Sequence, residues 1–267
     1  MRVTFLNPAA ELGGGERSLL TLIRSLREAG VGLEPTAILL DRGPLADALV
    51  NMGVRVEILS VPSRLMRLGD SRSVRGAAPA RETCGYAHDA VRLLSAVPAA
   101  CQLIGSVARA VQATDPHLVH SNGLKTHVLA SFLQLYGVGA PLIWHVRDFV
   151  SRRWLAARGL WVGARVIDRL SVIANSTAVA RDVADLLPCG TPVHPILNAI
   201  DLSHFSPANA LSAAVLPATP PGVVRVGLVA TYARWKGQDL FIDAIAQLPS
   251  GVRSKARFFI VGGPIYR

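Results

Sequence analysis

Gly13–Gly14–Gly15–Glu16–Arg17–Ser18 is the stretch on which the reading of this chain turns. It follows a short apolar run, Val3–Thr4–Phe5–Leu6, and opens an amphipathic segment from Leu19 to Leu26. Strand, glycine loop and helix start, in that order, build an anion site. Glycines let backbone N–H groups approach a ligand closely. A helix N-terminus adds unpaired donors and the positive end of a dipole. Two readings compete. The glycines can be no more than a turn before a helix. Alternatively, Gly13, Gly15 and Ser18 nearly fit the dinucleotide fingerprint, with Asp41 after the second apolar run. That fingerprint needs its first glycine right at the strand end. Here Asn7–Pro8–Ala9–Ala10–Glu11–Leu12 intervenes. A longer loop suits a ligand that lies further out and is shared with something opposite.

Outward from this stretch, apolar runs alternate with helical patterns. Strands are expected at Arg2–Leu6, Glu34–Leu40, Arg55–Leu59, Leu118–His120, Leu142–His145, Val172–Ala174 and Val193–Leu197. Helices are expected at Glu16–Ala29, Pro44–Met52, Ala87–Ala113, Leu124–Tyr136, Trp154–Leu170 and Ala178–Leu187. Short β-rich runs separated by helices argue for an α/β fold, a doubly wound parallel sheet covered on both faces. Ligands of such sheets bind beyond the carboxyl ends of the strands, so functional residues should come just after those runs.

The 267 residues leave room for one large or two modest domains. Hydrophobic residues make up 51% and charged residues 17%, which sustains a large core and excludes global disorder. The net charge of +10 comes almost entirely from arginine, since Lys occurs only at 125, 236 and 255. Such an excess suits phosphate-bearing ligands or an anionic membrane surface. Nucleic acid is not expected, because aromatics are few and no binding motif or dense basic tract is present. Cys84, Cys101 and Cys189 are far apart, which fits a reducing compartment and neither a disulfide framework nor a zinc site. No signal peptide or spanning helix is read; the most apolar stretch, Leu93 to Val107, is interrupted by Pro98.

Ser63 to Arg81 carries Arg64, Arg67, Arg72, Arg75 and Arg81 against a single acid, Asp70. It reads as a long basic loop, either a solvated surface or a flap for an anionic acceptor or lipid headgroups. From Ser206 to Gly222 the composition becomes that of a linker, with Pro207, Pro217, Pro220 and Pro221 among alanines. The strand–helix–strand rhythm then restarts with Val223–Val229, Gly237–Leu248 and Arg257–Val261. Two strands and one helix cannot bury a sheet on both faces, so this second unit reads as unfinished.

Several polar clusters sit where ligands are expected. His120–Ser121–Asn122–Gly123 ends a strand, with Lys125 beyond, and either binds a hydroxylated ligand or caps the next helix through Ser121 or Asn122. His145–Val146–Arg147–Asp148 closes the following strand and is denser in polar groups than a core would use. Asn175–Ser176–Thr177 reads as a helix cap, and Asp201 in Asn198–Ala199–Ile200–Asp201 as a turn residue. Arg234–Trp235–Lys236–Gly237 places two cations at a helix start, where the dipole disfavours them unless an anion is bound. They can neutralise a diphosphate leaving group. No G-x-S-x-G, P-loop or H-E-x-x-H is present.

Five of these segments, taken in order and spacing, resemble the retaining glycosyltransferase family 4, of GT-B fold. They are Gly13–Gly14–Gly15–Glu16–Arg17, His120–Ser121–Asn122, Asn175–Ser176, Asn198–Ala199–Ile200–Asp201 with Phe205, and Lys236–Gly237–Gln238–Asp239. The resemblance covers nearly the whole chain. It implies an acceptor-side Rossmann-like domain over residues 1–205, a Pro/Ala-rich linker at 206–222, and the start of a nucleotide-sugar domain at 223–267. It implies metal-independent transfer, with retention, from a nucleotide-sugar to a hydroxyl-bearing sugar, lipid or small molecule, with no cofactor. The setting it implies is cell-envelope polysaccharide or glycolipid synthesis on the cytoplasmic side, peripheral to a membrane. By the same resemblance His145 is the catalytic residue that orients the donor sugar. Gly14, Gly15, Arg234 and Lys236 lie on the donor side. Glu16, Arg17, His120, Asn122 and Arg147 line the acceptor side.

Three departures stand out. Ala199 replaces the family's usual glycine, and Thr231 stands where the family has an arginine five residues before the lysine. The E-x7-E stretch that holds the donor should lie beyond residue 267, so the chain as given is expected to be inactive alone. A non-catalytic binding module completed by a partner, a GT-B sugar-nucleotide epimerase and a dinucleotide oxidoreductase are the competing readings.

Overall fold

The computed structural model describes residues 1–8, 11–61, 85–203, 205–206 and 216–264, without the side chains of 85–96 and of Arg234. The basic stretch from Ser63 to Arg81 and Cys84 lie outside the described residues, as does much of the expected linker. Two compact units are present, Met1–Ala199 and Ile200–Arg267.

The first unit holds β1 (Arg2–Asn7), α1 (Gly14–Glu28), β2 (Glu34–Leu39), α2 (Pro44–Asn51), β3 (Arg55–Ile58), α3 (Gly85–Ala113), β4 (Leu118–Asn122) and α4 (Leu124–Ser131). A 3₁₀ turn (Leu133–Tyr136) leads to β5 (Leu142–Val146), α5 (Trp154–Val166), β6 (Leu170–Ala174), α6 (Thr177–Leu186) and β7 (Val193–Pro195). The seven strands form one sheet in the order β3-β2-β1-β4-β5-β6-β7, with every pairing parallel. Burial on both faces explains why β1 and β5 read as near-continuous apolar runs. Alternate side chains of one strand feed different cores. Val3 and Phe5 of β1 join Leu19, Ile23, Leu45 and Leu49 under α1 and α2. Leu6 joins Val107, Val111, Trp144, Leu160 and Val183 on the opposite face, under α3 to α6. Strand order reverses between β1 and β4, so the helices change face there and a crevice opens at that switch point.

Local differences from the expected elements have physical causes. α3 continues through Pro98, at an exposed position of the helix. α5 stops at Val166, and Leu170 already belongs to β6, paired with Leu142. The cap of α4 is Gly123, at φ +121°, and neither Ser121 nor Asn122 caps it. Both side chains are drawn instead into the sheet, where they find stronger partners. Ser176 does cap α6, its Oγ accepting from Val179 N at 3.2 Å.

α5 lies unusually close to α4. A Cβ added at Gly163 would fall well inside contact with Ser131 Oγ, and one at Gly159 would lie 3.1 Å from Val128 Cγ2. The second unit contains β8 (Val224–Val229), a 3₁₀ turn (Arg234–Lys236), α7 (Gln238–Ala246), α8 (Ser250–Arg253) and β9 (Ala256–Val261). β8 and β9 pair in parallel, and α7 has no buried residue, as expected for a unit with so few strands.

Candidate active site

The polar residues collected at the switch point are held by three strand ends and one helix start. Asn7 ends β1 and Asn122 ends β4, and both are buried. Asn122 Nδ2 donates to Asn7 Oδ1 at 2.6 Å, and Asn7 Nδ2 donates to Glu16 Oε1 in the first turn of α1 at 3.4 Å. The sheet pairing that sets β1 beside β4 brings these two asparagines together across a long stretch of chain.

Arg147, just past β5, ties the cluster shut with four hydrogen bonds. Its Nε donates to Asn122 Oδ1 at 3.0 Å. Its Nη1 donates to Ser18 Oγ of α1 at 2.8 Å and to Asn198 Oδ1 at 3.3 Å. Its Nη2 lies 3.2 Å from His145 Nδ1. The aliphatic stem runs against the glycine loop, so a Cβ at Gly15 would meet Arg147 Cδ at 3.6 Å. Burial lowers the Arg147 guanidinium to about 10, while the charges of Glu16 and Asp148 oppose that shift. The side chain is therefore a cation at neutral pH. Among the described residues no carboxylate lies within ion-pair distance of it. All the groups that receive its protons are neutral.

Three histidines surround this cation. His120 and His145 stack with ring centroids 5.4 Å apart and an interplanar angle of 16°, and His120 also touches Phe5 at 5.1 Å. Burial holds His120 well below the ordinary imidazole range, reinforced by His145, Arg147 and His127. Burial, then Arg147, lowers His145 to about 3. Burial, then His145, lowers His127 to about 3. All three are neutral at physiological pH. The tautomer of His145 is set by its neighbour. Arginine only donates, so Nδ1 accepts from Arg147 and the ring proton sits on Nε2. His145 thus offers an N–H donor rather than a general base. His127 is set differently: Ser121 Oγ lies 2.6 Å from its Nδ1 and donates to Ile143 O at 3.2 Å, so Nδ1 carries the proton. His120 Nε2 and Asn175 Oδ1 are buried with no hydrogen-bond partner.

Of the residues singled out in the sequence, Gly15, Glu16, His120, Asn122, His145 and Arg147 come together here. Gly14 and Arg17 lie at the same helix start, and both are exposed. Arg234 and Lys236 belong to the second unit, where Lys236 is exposed and immediately precedes Gly237, the N-cap of α7. Thr231, in the position the family gives to arginine, has its carbonyl bound by Gln238 Nε2 at 2.8 Å and a buried hydroxyl without a partner. Sequence patterning does not single out Asn7 as a site residue, and it brings in Ser18 only as the end of the glycine stretch and a near-fit to the dinucleotide fingerprint. The available signal for Asn7 is a buried polar residue closing an apolar strand at the glycine loop. Among the described residues no three His, Cys, Asp or Glu side chains gather as metal ligands.

The likeness to solved structures agrees with this architecture. HepE of Anabaena, solved with UDP and glucose, aligns over 100% of this chain at 20% identity and TM-score 0.63, and the chain spans 62% of that protein's length. The lipopolysaccharide outer core galactosyltransferase WaaB aligns over 98% of this chain and 68% of its own, at 10% identity and TM-score 0.60. A glycosyltransferase from Rickettsia africae aligns over 97% of this chain and 68% of its own, at 14% identity and TM-score 0.57. Such identities establish the shared GT-B-like α/β fold and no more. No curated protein matches the sequence significantly. The family model for Glycosyltransferase Family 4 matches residues 43–204, a span that contains His120, Asn122, His145 and Arg147 and begins beyond the glycine loop. More than half of the chain fits that model, and the span includes two of the three strand ends that build the site, so the chain belongs to Glycosyltransferase Family 4.

Proposed function

We propose that the protein of which this chain forms the acceptor-side domain and the opening of the donor-side domain transfers a sugar from a nucleotide-sugar to a hydroxyl acceptor. The reaction retains anomeric configuration and needs no metal ion. The observation that carries this reading is Arg147, a half-buried cation among neutral acceptors, locked to the glycine-loop helix at the sheet's switch point. A fixed positive charge beside backbone donors is suited to a ligand that gains negative charge as its bond breaks. His145, neutral with Nε2–H outward of its Arg147 bond, orients a sugar hydroxyl by donating to it. Gly14 and Gly15 let phosphate oxygens approach the start of α1. Lys236, with Arg234, neutralises the diphosphate from the second unit. His120 and Asn122 shape the acceptor side with Glu16 and Arg17, and Arg147 holds them in place.

The test is a transfer assay on the full-length parent with a panel of nucleotide-sugars and acceptors, with and without EDTA. Product anomers are read by NMR. Retention and indifference to EDTA support the reading, and an inverted product or donor epimerisation without acceptor refutes it. For the chain of residues 1–267 by itself we expect little or no turnover.

A further inference from the structure

We propose that α5 is a membrane-docking face, which seats this unit on an anionic lipid bilayer through a stripe of alternating tryptophan and arginine. The proposal stands independently of which sugar is moved. Helical geometry, at about 100° per residue, puts Trp154, Arg158, Trp161 and Arg165 within about 60° of the circumference of α5. All four are exposed, Trp154 at 70%, and Val162 and Val166 flank them on the same side. On the other side of the helix, round from Ala157 through Leu160 to Gly163, these three residues are buried against the body of the unit. The close approach at Gly159 and Gly163 fixes the helix, so the stripe is presented rigidly.

The helix contains no acidic residue. Arg152 and Arg153 precede it and Arg169 comes after it, whereas the nearby acids are Asp148, Asp168 and Asp182. Of these, Asp148 is paired with Arg153 at 3.6 Å, and Asp182 is taken up by the backbone of Val150 and Ser151. The surface is therefore both strongly basic and aromatic. The unit's remaining tryptophan, Trp144, is fully buried.

Ring contacts tell against a merely solvated stripe. The Arg165 guanidinium lies 3.4 Å from the Trp161 ring centroid, and that of Arg152 lies 5.0 Å from the Phe149 ring. Arg165 Nη1 also donates to Trp161 O at 3.1 Å, which leaves the Nε and Nη2 protons of the stacked guanidinium for an anion. Beneath it, the indole offers apolar area with a polar rim, the chemistry of the headgroup boundary. Among the described residues no helix is long and apolar enough to cross a membrane, so the seat is in-plane adsorption. The chain leaves the site at Arg147 and enters α5 at Trp154, so the N-terminal end of the face adjoins the loop after the site.

The test is flotation of the full chain with vesicles of equal parts phosphatidylglycerol and phosphatidylcholine, against pure phosphatidylcholine. Arg158→Gln with Arg165→Gln should weaken binding to the anionic vesicles roughly fivefold per arginine, on the order of 25-fold for the pair. Trp154→Ala with Trp161→Ala should weaken binding at low and high salt alike. In a Trp235→Phe background that keeps both residues, brominated lipid should quench the indole emission, which guards against a variant that fails to fold. The proposal is overturned if the parent chain stays in solution, if either double variant binds as well as the parent, if brominated lipid leaves emission unchanged, or if the stripe captures an acidic protein and ignores vesicles.

Discussion

Acid should loosen this fold well before its carboxylates titrate. His120, His127 and His145 are neutral in the folded state, two of them held near 3 and the other well below its ordinary value. Unfolded, each titrates near 6.5. Between those limits the unfolded chain binds more protons, so stability rises with pH. The stabilisation is complete above the unfolded value and is lost as pH falls from about 6.5 toward 3. His127 and His145 each cost about 1.4 kcal/mol per pH unit in that window, so about 2 kcal/mol each at pH 5, and His120 adds to the loss in the same direction. Domains of ordinary stability have roughly 5–15 kcal/mol in all. Urea titrations of the chain, followed by near-ultraviolet circular dichroism of the buried Trp144, should show the midpoint collapsing between neutrality and about pH 5. His127→Gln keeps a donor for Ser121 and should remove about a third of the pH slope. A midpoint that is flat across this range in the unaltered protein would refute the argument, because it would mean that these rings are already protonated or reach solvent.

Arg147→Lys keeps the charge and loses the fork that reaches Asn122, Ser18, Asn198 and His145 together, so transfer by the parent should fall by about 10²–10³ with little loss of stability; activity within about twofold of the parent would contradict the role given to it. Gly163→Ala should destabilise by about 1–3 kcal/mol, read as a lower urea midpoint, because the added methyl has no room beside Ser131. Lys236→Ala should raise the dissociation constant for a nucleotide diphosphate, measured calorimetrically on the parent, by roughly tenfold or more, with thermal stability unchanged.

The order of the elements was legible because parallel strands buried on both sides advertise themselves as near-continuous apolar runs, as Val3–Leu6 and Leu142–Val146 do. The position of the site could be read from the strand ends. Its wiring could not. Ser121 and Asn122 resemble caps because a sequence displays neighbours along the chain and hides neighbours across the sheet. Asn122 is claimed by Asn7 across the β1–β4 pairing, and Ser121 by a histidine on α4 and a carbonyl of β5. The glycine loop invites the reading of a self-contained anion cradle. In the fold it is one side of a clasp whose tongue is Arg147. Pro98 suggests an interruption that an exposed helical face absorbs. The Trp–Arg alternation of α5 is visible in the sequence, but only burial shows that this side faces out.

The asparagine bridge has a bearing on how the chain folds. It joins residues 115 positions apart, and the Arg147–Ser18 bond joins residues 129 apart. Contacts of such separation form late, since the loop entropy must be overcome before they give anything back. Until β4 docks against β1 there is no crevice, only two unconnected strand ends. A molecule bound at the switch point therefore fastens the early and middle parts of the chain to each other. It should slow exchange of amide protons throughout the first unit rather than in the loops it touches, so that occupancy of the site is reported by the most distant strand, β7, as clearly as by the glycine loop.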